Sequence, residues 1–142
     1  MKISTKGRYA LRMMLDLAQH DSGQPVALKE ISARQEISVK YLEQIVTQLS
    51  RAGLLKSSRG AQGGYQLAKS PCDYRIGDIL RVTEGSLEPV PCLDGQQSEC
   101  ARSADCLAQE FWKGLSQAVN EYVDSVTLEE LANRHGGCEY MI

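Results

Sequence analysis

Residues 37–53, ISVKYLEQIVTQLSRAG, decide how this chain folds. Ser38 is a residue type that caps the start of many helices, and Gly53 is the type that most often follows a helix end. Between them the apolar residues recur every three or four positions; these are Tyr41, Leu42, Ile45, Val46 and Leu49. The segment predicts a helix from 39 to 52 with one buried side and one polar side.

A shorter helix is predicted just before this one. Residues 28–35 place Leu28 and Ile31 on one face, and a short turn leads from them to Ser38. Two such helices form a helix-turn-helix, whose second helix presents the polar side of its first turns to base edges in a major groove. The candidate DNA contacts on that side are Ser38, Lys40, Tyr41, Glu43 and Gln44.

Another helix is predicted on the amino-terminal side of this pair. Its broad apolar surface runs from a cap at Ser4 or Thr5 to about His20, which implies burial on more than one side. Lys6 and Arg8 near its start are candidates for phosphate contacts.

A β-hairpin is predicted on the carboxyl-terminal side. Residues 54–58 and 65–68 have the composition of two short strands, and the segment between them is a glycine-rich turn. Such a hairpin after a helix-turn-helix is a wing. Arg59 and Gly60 in its turn are candidates for a minor-groove contact, because narrow A·T-rich grooves attract guanidinium groups.

The charge distribution supports DNA as a partner. Residues 1–70 hold 11 Lys/Arg and 5 Asp/Glu, whereas residues 71–142 hold 5 Lys/Arg and 13 Asp/Glu. A basic amino half suits a face that meets phosphates. Taken singly, Lys40, Gln44 and Arg59 are also compatible with ordinary solvated side chains, and Tyr41 with a core position; the combination favours DNA.

The length and the apolar content limit the architecture. With 142 residues and 42% hydrophobic composition, the chain suits one domain plus an appended element. It has neither a run of roughly 18 apolar residues nor a secretory signal, so we expect a cytoplasmic protein with no membrane partner. His20 and His135 are far apart in sequence and no nucleophile–base constellation occurs, so we expect no enzyme.

The acidic half predicts three further helices. One covers 76–84 and ends at Gly85, and a short last one, from a capping-box pattern at Thr127, reaches about Arg134. The long helix between them carries an apolar stripe, made of Leu107, Phe111, Leu115, Ala118, Tyr122 and Val126. No second long helix is available to cover the stripe, so a twofold homodimer is expected; burial within the same chain is the alternative.

Three cysteines lie in the loop before this long helix. Seven residues separate Cys92 from Cys100, and five separate Cys100 from Cys106. Zinc knuckles use Cys-x-x-Cys pairs, which are absent, whereas wider loop-borne spacing allows thiolates to surround an iron–sulfur cluster. Zinc, a regulatory disulfide and idle thiols remain open. Cys72 and Cys138 are assigned no role.

The chain resembles a family of iron–sulfur cluster regulators that includes IscR, the nitric-oxide sensor NsrR and the cysteine-metabolism repressor CymR. The resemblance is carried by KISTKGRYA at 2–10, ISVKYLEQ at 37–44, SRGAQGGY at 58–65, the three cysteines, and Phe111-Trp112. It implies a dimeric winged-helix transcription factor that binds a double-stranded DNA operator. It also implies that Cys92, Cys100 and Cys106 ligate a cluster, and that cluster-assembly proteins are candidate partners.

The resemblance leaves the fourth ligand unknown. IscR-like members with a 2Fe-2S cluster have a histidine three residues after the last cysteine, where this chain has Gln109. A 2Fe-2S cluster is favoured, and a 4Fe-4S cluster with one open iron is compatible. CymR-like relatives lack the three cysteines and bind no cluster.

The expectations combine into one architecture. The fold is mainly α with a small β wing: a winged helix-turn-helix at 1–84, a cysteine loop at 85–106, and a dimerisation helix with a short helix and tail at 107–142. The expected function is cluster-modulated regulation of cluster-biogenesis, iron or redox-stress genes. The alternative is a metal-free repressor of sulfur and cysteine metabolism that acts through a protein partner.

Overall fold

The computed structural model describes residues 2–93 and 105–139, with the side chains of 135–139 excepted. Helices α1 to α3 span Thr5–Gln19, Leu28–Gln35 and Val39–Arg51, and strands β1 and β2 span Leu55–Ser58 and Gly64–Leu67. Helices α4 to α6 span Ile76–Glu84, Ala108–Ser125 and Leu128–Glu139. The predicted mainly helical fold with a small wing is confirmed; α6 is longer than the sequence suggested.

Local capping fixes the helix-turn-helix. The Ser38 hydroxyl accepts a hydrogen bond from the Tyr41 backbone N–H at 3.2 Å and so caps α3. Glu36, which ends α2, has a left-handed backbone with φ of 56°, a conformation that is uncommon for a residue with a side chain. This left-handed residue reverses the chain tightly enough for α3 to begin three residues later.

The wing is anchored by an isolated antiparallel β-bridge between Val26 and Tyr65, which the sequence did not reveal. β1 and β2 pair in an antiparallel register from Leu55↔Leu67 to Ser58↔Gly64. Val26 and Tyr65 then exchange two backbone hydrogen bonds, each of 2.8 Å. Gly64 is required at this crossing because a Cβ there would collide with the Val26 carbonyl. The wing is therefore held against the residues that lead into α2.

The core lies between α1, α3 and α4. Its fully buried side chains come from these helices, from α2 and from the start of α6, and include Met13, Met14, Ile31, Leu42, Ile45, Leu49, Ile79 and Leu128. Tyr74, just before α4, is also fully buried, and its hydroxyl donates to the Leu54 carbonyl at 2.6 Å. The same hydroxyl accepts from the backbone N–H groups of Ala68 at 2.8 Å and Lys69 at 3.3 Å. Tyr74 thus joins the base of the wing to the core.

Helix α5 packs on the outside of this domain. Its C-terminal end is fixed by backbone bonds from Ile76 to Val126 at 3.0 Å and from Leu128 to Tyr74 at 2.9 Å. Val126 is consequently buried, which corrects its assignment to the outward stripe. Leu107 is 93% exposed, and Phe111 and Tyr122 are also exposed. Within the described ranges, no helix has the length and apolarity needed to cross a bilayer.

Candidate DNA interface and cysteine site

The outward side of α3 is polar and accessible. Lys40, Glu43 and Gln44 are exposed, whereas the intervening Leu42 and Ile45 are fully buried. Because 3.6 residues make one helical turn, this alternation places the three polar side chains on a common outer face. Ser38 at the start of the helix is exposed as well, although its hydroxyl is engaged as the cap.

Tyr41 has a packing role in addition to its place on α3. Its side chain is half-buried, and its ring meets the Tyr9 ring edge to face with centroids 5.4 Å apart. The Arg12 guanidinium lies over the Tyr9 ring, 5.3 Å from its centroid. Tyr41 therefore braces α3 against α1, which leaves only the outer part of its side chain for a ligand.

A buried carboxylate positions α2. Asp16 on α1 is 1% exposed and accepts two hydrogen bonds from Arg34, at 3.0 and 2.8 Å, and one from Gln35 at 3.0 Å. Burial alone would raise the pKa of Asp16, but these hydrogen bonds outweigh it and hold that pKa below its usual value. This link could not be predicted from the sequence, since Asp16 lies within an apolar face and its partners are 18 and 19 residues away.

The wing tip presents Arg59 and Gly60 to solvent. Both residues are exposed, and Gly60 has φ of 106°, which favours glycine. The Gly63 N–H closes the turn by donating to the Gly60 carbonyl at 3.0 Å. Arg59 therefore lies between the end of β1 and this hydrogen-bonded turn.

The start of α1 combines cationic side chains with an anionic cap. Arg8 is exposed and donates to the Thr5 hydroxyl at 3.0 Å, and Lys6 is half-buried. The carboxylate of Glu84, the last residue of α4, accepts from both the Ser4 N–H at 2.8 Å and the Ser4 hydroxyl at 2.7 Å. A carboxylate at a helix N-terminus is favourable because unpaired N–H groups point toward it. The contact of Glu84 with Ser4 joins residues 80 positions apart and could not be predicted from the sequence.

Two of the three loop cysteines lie in described residues. Cys92 is exposed in a short 3-10 turn at Pro91–Leu93, and Cys106 is half-buried two residues before α5. Both are free thiols. Cys100 lies outside the described residues. Among the side chains that the structure describes, no three His, Cys, Asp or Glu residues gather to form a metal site.

The donor chemistry of this site fits an iron–sulfur cluster, since thiolates are its usual ligands. Cys92 and Cys106 flank residues 94–104, so the described thiols stand on both sides of the segment that contains Cys100. Gln109 is half-buried in the first turn of α5, and its backbone N–H donates to the Cys106 carbonyl at 3.2 Å. A glutamine amide is a much weaker iron ligand than a thiolate or an imidazole.

The chain matches the model of the Rrf2 family, described as iron-dependent transcriptional regulators, over residues 3–134. The HTH-type transcriptional regulator CymR of Bacillus subtilis is 44% identical over 137 residues, which cover 96% of this chain and 94% of that protein. The structure of B. subtilis CymR, the global cysteine regulator, superimposes with a TM-score of 0.79 at 43% identity, covering 94% of this chain and 98% of that one. The structure of T. potens IscR superimposes with a TM-score of 0.75 at 40% identity, covering 95% and 88%.

This chain belongs to the Rrf2 family of transcriptional regulators. The family resemblance deduced from the sequence motifs is thereby confirmed, and the winged-helix fold agrees with the solved relatives. The expectation that the protein is not an enzyme is also confirmed, because its relatives are transcriptional regulators.

Proposed function

We propose that this regulator binds operator DNA as a twofold dimer and that an iron–sulfur cluster on Cys92, Cys100 and Cys106 modulates the binding. The observation that carries the proposal is the position of the thiols. Cys92 follows α4, which packs on the DNA-binding core, and Cys106 precedes α5, which carries the exposed apolar stripe. A cluster held by these residues would act on the connection between the DNA-binding core and α5.

The DNA contacts follow from the exposed side chains. The outer face of α3, with Lys40, Glu43 and Gln44, enters a major groove, where Glu43 selects cytosine N4 and disfavours guanine and thymine acceptors. Ser38 and Tyr41 contribute at the edge of this face. Arg59 and Gly60 reach the adjacent minor groove, and Lys6 and Arg8 contact phosphates. The basic charge of residues 1–70 supports this orientation.

Dimer formation is supported by the apolar surface of α5. The exposed Phe111 and Tyr122 lie on α5, none of whose described side chains is fully buried, and the exposed Leu107 directly precedes this helix. An apolar groove of about 360 Å³ adjoins this surface between α4 and α5, bounded among others by Leu80 and Leu87. A second copy of α5 covers such a surface. The resulting dimer also places the two copies of α3 on one pseudo-palindromic operator.

The cluster would supply a redox-sensitive centre whose integrity depends on oxidants and iron supply. The chain's own contribution is to hold the thiolates and to fix the segment between α4 and α5. We favour a 2Fe-2S cluster and accept a 4Fe-4S cluster as compatible, with the fourth ligand unassigned because Gln109 stands at the histidine position. Genes of cluster biogenesis, iron or redox stress are the expected targets, with cluster-assembly proteins as cluster donors.

Anaerobic reconstitution with iron and sulfide tests this proposal. The wild-type protein is expected to gain thiolate-to-iron charge-transfer absorption, and Mössbauer spectra then assign the cluster type. Cys92→Ser and Cys106→Ser are expected to lose it. Cys72→Ser is the matched control, because Cys72 is an exposed free cysteine outside the loop. Stoichiometric zinc in place of a cluster, or no metal in the wild type, would contradict the proposal.

A second function is favoured by the likeness to CymR. A metal-free repressor of sulfur and cysteine metabolism, acting through a protein partner, is consistent with 44% identity and a TM-score of 0.79. The three loop cysteines argue for the cluster instead, because CymR-like relatives lack them. The two candidates differ in one result: a regulator of this second kind keeps its full operator response when Cys92, Cys100 and Cys106 are all replaced by serine.

A further inference from the structure

Helix α4 lies between α1 and α5 and also contacts α3. Two glycines allow α4 to lie close to α1 on one side and to α5 on the other. A Cβ on Gly7 of α1 would collide with the Glu84 carboxylate, and a Cβ on Gly77 of α4 would collide with the Asp124 carboxylate. Interiors packed this closely transmit displacements, since the neighbours have little free volume to absorb them. α4 is thus tightly fitted on both sides.

Arg81 joins α4 to α5 through three charged or polar contacts. Its guanidinium donates to Asp124 at 2.7 and 3.0 Å and to the Asn120 side-chain carbonyl at 2.7 Å. The bidentate pair lowers the pKa of Asp124, chiefly through the hydrogen bond, and raises that of Arg81. Both side chains are about one-third exposed, so the pair contributes more to geometry than to stability.

The same set of contacts extends to residues 85–92, which lead from α4 to Cys92 and are called the cysteine segment below. Asn120 donates to the Ser116 carbonyl at 2.8 Å and lies 3.4 Å from the Ser116 hydroxyl. That hydroxyl donates to the carboxylate of Glu88. Glu88 stands four residues before Cys92, and a continuous polar chain therefore runs from the segment leading into Cys92 to Arg81.

The C-terminal end of α4 also contacts the start of α1. Glu84 is one helical turn beyond Arg81 on the same helix, and its carboxylate caps α1 at Ser4. The first turn of α1 carries Lys6, and Arg8 follows it. A shift of α4 along or about its axis would therefore move the cap of the helix from which these phosphate-contacting candidates project.

We propose that Arg81 is a positioning residue that couples the cysteine segment to α1, through a relay of Glu88, Ser116, Asn120 and Arg81 that ends at Glu84. The inference rests on the proposed cluster-modulated function and names the residues that carry the modulation. The relay does not contact DNA or iron. It acts by making the position of α4 depend on the residues before Cys92. Coupling between two sites needs such a difference between the cluster-bound and cluster-free forms.

Ser116→Ala tests the relay, because it removes the link to Glu88 and keeps the backbone carbonyl that Asn120 uses. Ser125→Ala is the matched control: the Ser125 hydroxyl lies on the same helix and donates to the Tyr122 carbonyl at 2.7 Å. The readout is the ratio of operator affinities with and without cluster, at one salt concentration. We expect wild type and Ser125→Ala to share a ratio on the order of 5–150 in either direction.

In Ser116→Ala we expect the ratio to move toward unity, either by roughly tenfold or all the way to unity. Iron content and cluster absorption should stay unchanged. Arg81→Lys, which keeps the charge and loses the bidentate geometry, is expected to do the same. An unchanged ratio in both variants would overturn the relay while leaving cluster sensing intact.

If the wild-type ratio is itself unity, the proposed function fails, and hydrogen exchange of the cluster-free protein then decides the relay. Ser116→Ala is expected to speed exchange of the Ser4 and Gly7 amides at the α1 cap several-fold over Ser125→Ala. Equal exchange in the two variants would overturn the relay on its own terms.

Discussion

Replacing Tyr74 by phenylalanine removes the hydroxyl at the base of the wing and keeps the buried ring. That hydroxyl donates to Leu54 at 2.6 Å and accepts from Ala68 at 2.8 Å and from Lys69 at 3.3 Å. Burial raises the pKa of Tyr74, so the phenol stays protonated and able to donate throughout the physiological range. At about 1 kcal/mol per bond, and with buried backbone groups left short of partners, we expect the free energy of unfolding to fall by about 2–3 kcal/mol.

Urea denaturation followed by circular dichroism measures this loss at one fixed protein concentration, because the stability of a chain that is proposed to dimerise depends on concentration. The same change should lower Tm by roughly 6–12 °C. Tyr9→Phe is the control: it also removes a phenolic hydroxyl but keeps the ring contact with Tyr41, and should cost less than about 0.5 kcal/mol. A loss below about 0.5 kcal/mol for Tyr74→Phe would refute the assignment of Tyr74 as the link between wing and core.

Three further perturbations have defined outcomes. Arg34→Met leaves the Asp16 carboxylate buried without its cation and should lower the free energy of unfolding by about 2–4 kcal/mol at pH 7. Because the folded-state pKa of Asp16 is lowered, the difference between wild type and variant should shrink as pH falls below about 4, which urea midpoints measured from pH 3 to 7 would show. Gly77→Ala introduces a collision with Asp124 and should destabilise by about 1–3 kcal/mol, whereas Gly114→Ala on α5, where a Cβ meets nothing within 4 Å, should stabilise by up to about 1 kcal/mol in the same melts. Arg59→Ala should weaken operator binding and lower the slope of log affinity against log salt by about one in fluorescence anisotropy titrations; an unchanged affinity across salt concentrations argues against the wing contact.

The helices could be predicted from the sequence because their signals are local. Ser38, Gly53 and Gly85 mark helix ends within one turn of the residues they cap, and the 3.6-residue period separates buried from exposed positions. The bounds of α2 and α4 consequently agree with the structure to the residue.

The links between helices could not be predicted, because they depend on pairs that are distant in sequence. Asp16 meets Arg34, Ser4 meets Glu84, and the phenol of Tyr74 meets the backbone of the wing. Each side chain alone has an ordinary interpretation, as a helix residue, a cap or a core aromatic. Only the fold brings the partners together.

One part of the candidate site could likewise be predicted from the sequence, and another part could not. The exposed face of α3 was predictable from periodicity, and so was a packing alternative for Tyr41, which the contact with Tyr9 now supports. The cysteine spacing favoured an iron–sulfur cluster but left zinc, a regulatory disulfide and idle thiols open, and it cannot give the pose of the thiols. The path from the cysteine segment through Ser116 to Arg81 required the packing of α4 against α5.

The most direct test of the central claim is operator affinity, measured anaerobically with cluster-loaded and cluster-free protein at matched salt. We predict that the affinity of wild type and of Cys72→Ser changes on the order of fivefold or more when the cluster is present. The variant with serine at Cys92, Cys100 and Cys106 should show one affinity under both conditions. A wild-type affinity that is indifferent to the cluster, or a triple-serine variant that still responds, would contradict the account.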